Sequence, residues 1–186
     1  MIWLRSGVMG AILLALVTQV LAAQEARLTP SHVHQHARRL IAEIELMRRE
    51  EGVTEEPRDP GTQINKLPIH VVQKSVELMD KVRRYQESLG VEPLVIRPLP
   101  YEPMTPEVAF ESVDYVLLNL REIKNELGIT RTIVEPEFIS GRTPTEVFEL
   151  LWRASYMLDG LVRETQASEV LAKQRQAYGD IRLITD

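Results

Sequence analysis

The stretch from Thr105 to Gly128, TPEVAFESVDYVLLNLREIKNELG, decides the fold. It opens on Thr105-Pro106. The threonine hydroxyl is a good cap for the free amides of a first turn, and proline at the first helical position gives up no hydrogen bond that the helix needs. It closes on Gly128, the residue that best accepts the left-handed turn on which many helices stop. Between them Ala109, Val113, Val116, Leu120 and Ile123 recur at alternating spacings of four and three, an apolar seam along one side of a helix. The helix spans about 22 residues, or roughly 33 Å.

The same sentence is written four times. Pro30, Pro68, Pro106 and Pro144 stand 38 residues apart, as do Pro60, Pro98 and Pro136. Gly52, Gly90 and Gly128 keep the same period, each followed by a β-branched residue, Val53, Val91 and Ile129. Thr29-Pro30, Leu67-Pro68 and Thr143-Pro144 open the other copies; Leu67 has no hydroxyl, so the second helix needs another cap. The seam recurs as Val33, Ala37, Leu40, Ile44, Met47, then as Val71, Ser75, Leu78, Val82, Tyr85, and finally as Val147, Leu151, Ala154, Leu158, Leu161, with Ser75 the one polar member. Two flanking columns, His34/Val72/Phe110/Phe148 and Ile41/Met79/Leu117/Ser155, widen the apolar stripe. Four such stripes bury themselves most directly against one another. The expectation is an all-α four-helix bundle of four 38-residue helix-plus-extended-linker repeats starting near residues 29, 67, 105 and 143.

The connections are long. Gly52–Lys66, Gly90–Met104 and Gly128–Arg142 each hold 15 residues, where antiparallel neighbours need only about 2 to 8. Fifteen extended residues reach about 45 to 50 Å, more than a helix length. Two topologies fit: parallel helices with returning linkers, favoured slightly by the equal linker lengths, or up-and-down helices with looping ones. The second and third linkers carry apolar runs, Leu94-Val95-Ile96 and Ile133-Val134 with Phe138-Ile139, that should pack on the helices. The first, around Glu55-Glu56-Pro57-Arg58-Asp59, is polar and expected to be mobile. After Leu161 the pattern fades, and residues 164–186 are expected to form a C-terminal capping helix.

Residues 1–23 have a different character. Arg5 is followed by an apolar run from Gly7 to Leu21 and by the small Ala22 and Ala23, the layout of a cleaved secretory signal peptide. The run is short of the roughly 20 residues a spanning helix needs. Residues 24–186 would then form a single exported domain, periplasmic in a two-membrane envelope, with no stable membrane insertion after cleavage. Removing Arg5 takes the 22 basic residues to 21 against 27 acidic, and the net charge from −5 to −6. That acidity disfavours nucleic acid as a partner. The chain has no cysteine, which excludes disulfides, thiolate metal sites and covalent c-type haem.

Catalytic patterns are missing: no Gly-x-Ser-x-Gly, His-Glu-x-x-His, phosphate-binding glycine loop or Glu-x-x-His pair occurs. Histidine is the one concentrated chemical residue. His32 and His36 share a helix face, and His70 repeats the position of His32, so the three could hold a transition metal or small cofactor if the first two helices are parallel neighbours. Against this, position 36 is matched by Lys74 and Ser112, which reads as a surface column. Glu43 and Glu45 with Arg38, Arg39, Arg48 and Arg49 read as a solvated charged face, and Glu45, Arg83, Arg121 and Asp159 as a column able to pair between helices. Phe148, Trp152 and Tyr156 form an aromatic side of the fourth helix, either packed beneath a linker or offered as a docking patch. The expectation for function is a non-enzymatic exported module for binding, sensing or scaffolding, without cofactor, whose partner is another envelope protein or a small ligand. A metal- or cofactor-binding bundle built on the histidines is the alternative.

Overall fold

The computed structural model describes residues 27–92 and 103–184. The leader expected over residues 1–23 and the Leu94-Val95-Ile96 run lie outside the described residues. Four helices follow in order: α1 Pro30–Glu50, α2 Pro68–Leu89, α3 Pro106–Glu126 and α4 Pro144–Ile184. Each begins at its proline. The first three end at a glycine held at positive φ, Gly52 (71°), Gly90 (69°) and Gly128 (68°). In each case the next amide reaches back across the turn, Val53 N to Arg48 O, Val91 N to Gln86 O and Ile129 N to Lys124 O, at 2.8 to 3.0 Å. This is the paired-bond stop that satisfies the last carbonyls of a helix.

α4 lacks that stop. Gln166 stands where a fourth glycine would fall, 22 residues after Pro144, and the helix runs on unbroken to Ile184. The cap expected over residues 164–186 is therefore not a separate helix; its described part continues α4.

Pro30, Pro68, Pro106 and Pro144, with Val33, Val71, Ala109 and Val147 beneath them, line one apolar dimple. All four N-termini thus meet at one end, and the helices are parallel. Around the bundle α1 touches α4, α4 touches α2, α2 touches α3, and α3 touches α1; α1 with α2, and α3 with α4, lie across the diagonals. The seam fills the centre. None of its 20 residues is more than 3 % exposed, and Ser75 gives its hydroxyl to the Val71 carbonyl at 3.0 Å, so its polarity costs little.

Parallel helices require the chain to travel back outside the bundle. The first linker descends along α4: Glu55 meets Arg163, Gln63 N donates to Glu149 Oε1, and Lys66 N donates to Thr145 Oγ1. Anchored at these points, it is a strap and not the loose segment its polarity suggested. The third linker descends along α1, where Pro136 O accepts from Gln35, Glu137 O from Arg38, and the Arg142 amide donates to Ser31. Each of these two linkers crosses the helix that lies between the two it joins.

Candidate functional site

The histidines are positioned by the helix starts. His32 and His70 each occupy the third helical position, and each Nδ1 accepts from a capping backbone amide, Thr29 N at 3.1 Å and Leu67 N at 2.9 Å. His70 thus satisfies the Leu67 amide, the reciprocal half of a capping box, while Leu67 has no side-chain acceptor for the first-turn amides. His32 also rests against the Phe138 ring of the third linker, 4.9 Å between centroids. His36 stacks on Phe110 of α3 at 4.2 Å and bonds Asp114 Oδ1 through Nε2 at 2.9 Å. α1 and α2 are parallel but diagonal, so the structure does not bring His70 beside His32 and His36. Among the described residues no group of three or more histidine, cysteine and carboxylate side chains is placed to hold a metal ion.

The column of position 36 is not a surface one. Lys74 and Ser112 are buried, and on two helices this column faces the His34/Val72/Phe110/Phe148 column of a neighbour: His36 meets Phe110, and Lys74 lies over Phe148. One level further along, all four helix contacts carry a polar link, Lys81 of α2 holding Asp159 of α4 at 2.6 Å. Lys124 pairs with Glu43 at 2.9 Å, Gln86 donates to Asn119 at 3.3 Å, and Arg48 donates to the Met157 carbonyl at 2.8 Å. Glu43 and Arg48, on the face expected to be solvated, are interior, 5 % and 6 % exposed. The Glu45, Arg83, Arg121, Asp159 column does not pair within itself: Glu45 faces Arg153, Asp159 takes Lys81, and Arg83 stays with Asp80 and Glu87 on its own helix.

His34 and His36 are held below the ordinary imidazole value. For His34 the cause is burial first, then the positive Arg142, with Glu146 opposing and Arg38 adding slightly. For His36 it is burial first, against the Asp114 hydrogen bond, with Arg39 and Arg121 lowering it further. Both sites bind protons less readily folded than unfolded. Stability is therefore full above the unfolded value of about 6.5 and falls as the pH drops through it toward the folded values. Melting temperature should decrease between about pH 7.5 and 5.5, above the range where carboxylates titrate. His34→Phe, which installs the residue of Phe110 and Phe148 in the same column, should flatten that slope; thermal melts across the interval check it.

Two clefts lie beneath the strap. The larger, about 440 Å³, opens between α1, α4 and residues 59–62, and its wall includes His34, Asp59, Arg142, Glu146, Glu149 and Arg153. The smaller, about 240 Å³, lies beside Tyr156, where Arg48 and Arg163 hold Glu55 over Gly160. Gly160 is there for Arg48. A Cβ on it would sit 2.4 Å from Arg48 Nη1, so a larger residue here would push the guanidinium off its present position across the helix. A glycine inside a helical pattern with no stop after it was the signal for this feature.

The aromatic side of α4 is continuous. Phe148 packs edge-on to Trp152 at 5.5 Å, and Trp152 lies 6.4 Å from Tyr156. Phe148 is buried, while Trp152 and Tyr156 are half-buried. Lys74 Nζ stands 4.9 Å over the Trp152 ring and Lys66 Nζ 4.5 Å over Phe148, cations placed on the negative faces of the rings. No protein-family model, no curated protein and no solved structure matches the chain.

Proposed function

We propose that the chain is a non-enzymatic binding module of the cell envelope, exported by its N-terminal leader and acting in the periplasm without a resident cofactor. Its architecture is read as four copies of one 38-residue unit, and its recognition face as the aromatic side of α4. The observation that carries this reading is the half-buried pair Trp152 and Tyr156, rooted on Phe148 and ringed by Lys66 and Lys74. Aromatic side chains anchored in this way present large contact area at small entropic cost, and the part-exposed Lys66 suits a partner with an acidic group beside an apolar centre. The partner is another envelope protein. No described helix is long and apolar enough to cross a membrane, in keeping with a partner reached in solution.

Trp152→Ala tests the reading. The mature protein should lose retention of its partner while its far-ultraviolet dichroism is unchanged; loss of both together would make Trp152 a core residue and end the proposal. Native mass spectrometry of the mature protein, purified without chelators from its own compartment, should show no bound metal or cofactor, with or without a protein partner. Stoichiometric metal would contradict it.

A further inference from the structure

The larger cleft, between α1, α4 and residues 59–62, belongs neither to the aromatic face nor to any catalytic arrangement. We propose that it binds a small zwitterionic solute, an amino acid or short peptide whose ammonium and carboxylate groups are both free. At about 440 Å³ the cleft falls within the size range of small-molecule sites.

Its charges are of both signs and incompletely used. Arg142 pairs with Glu146 through Nη1, yet its Nε–H has no partner among the described residues. Among the described residues Arg153 pairs with Glu45 alone, at 3.7 Å. Glu149 accepts the Gln63 amide with Oε1, and no described residue bonds its other oxygen. Asp59 uses Oδ1 on the Gly61 amide of its own turn. His34, 6 % exposed, stands in the wall with Nδ1 unpartnered among the described residues. Leu150 and Pro60 supply the apolar part of the lining.

This arrangement selects by exclusion as well as by attraction. A plain anion meets Asp59, Glu146 and Glu149; a plain amine or metal cation meets Arg142 and Arg153. A ligand carrying both charges satisfies the guanidinium groups with its carboxylate and the free carboxylate oxygens with its ammonium. The strap contributes Asp59 from one side and α4 contributes Glu149 and Arg153 from the other, so the ligand would also tie the strap to the bundle.

The test is a titration of the mature protein, ¹⁵N-labelled, with the free amino acids and a set of dipeptides, and with the N-acetyl and C-amide forms of each. Binding is expected to shift the amides of Asp59, Gly61, Thr62 and residues 149–153, and to raise Tm by about 5 to 10 °C at a hundredfold excess over Kd. Both blocked forms should bind at least about tenfold more weakly, a difference of one decade in Kd. Arg153→Met, a change at a half-exposed side chain, should lose binding with Tm of the free protein unchanged. Glu149→Gln, which keeps the acceptor for Gln63, should erase the preference for the free ammonium. Whether a free amino acid or a dipeptide binds more tightly identifies the solute. No shift in residues 59–62 with any free ligand, equal binding of acetate, or full binding by Arg153→Met would each overturn the proposal.

Discussion

Lys124→Met should destabilise the protein by about 3 kcal/mol, lowering Tm by about 10 °C for a domain of this size. Lys124 and Glu43 bridge α3 and α1 at 2.9 Å with 12 % and 7 % of their side chains exposed. Water is largely excluded, so removing the ammonium leaves a carboxylate that has lost its solvation and its partner. The double variant Glu43→Leu/Lys124→Met leaves no orphan charge and should recover most of the loss, because well-packed apolar residues replace buried ion pairs at little or no cost. A denaturant series on the two singles and the double measures this. A loss below about 1 kcal/mol for Lys124→Met would mean that the pair is solvated like an ordinary surface bridge.

Gly160→Ala is expected to change sign with its background. In the native protein the new methyl displaces the Arg48 guanidinium, whose hydrogen bonds to the Met157 and Glu55 carbonyls are then lost. The cost should be about 2 kcal/mol, the size expected when a buried guanidinium loses its hydrogen-bond acceptors. In an Arg48→Ala background the obstruction is gone, and the same substitution should stabilise by up to about 1 kcal/mol through helix propensity. Additive behaviour in this cycle would show that Arg48 and Gly160 are not coupled. Arg48→Ala should also loosen the first linker, seen as faster amide exchange around Glu55.

The seam was legible because a four-three spacing of apolar residues has one structural meaning, and all of its positions are buried, Ser75 included. Helix starts and stops were legible for the same kind of reason: Pro30, Pro68, Pro106 and Pro144 and the glycines Gly52, Gly90 and Gly128 restrict backbone geometry locally. Helix order around the bundle was not legible. It rests on pairs such as Gln86 with Asn119 and Lys124 with Glu43, which lie 33 and 81 residues apart and look like surface residues until the neighbour is known. The histidines illustrate the same limit. His32 and His70 suggested shared ligation through their equivalent positions, but that equivalence describes a common task at the third helical position, capping the helix start. The diagonal placement of α1 and α2 separates them. The anchoring of the first linker was not legible because it rests on the main-chain amides of Gln63 and Lys66, which meet Glu149 and Thr145, and on one side-chain pair, Glu55 with Arg163. The larger cleft draws its wall from three separate segments, residues 34, 59–62 and 142–153, and no local pattern announces it.

Everything proposed for the outer face of α4 depends on the helices being parallel and the linkers returning along them. Spin labels on two introduced cysteines test this directly, since the native chain has none. Glu87→Cys with Glu126→Cys marks the same end of the adjacent helices α2 and α3, and Glu87→Cys with Glu107→Cys marks opposite ends. The account predicts the shorter distance for the first pair and, for the second, a separation of at least roughly 27 Å, the rise of the intervening turns. The reverse order would make α2 and α3 antiparallel and contradict it.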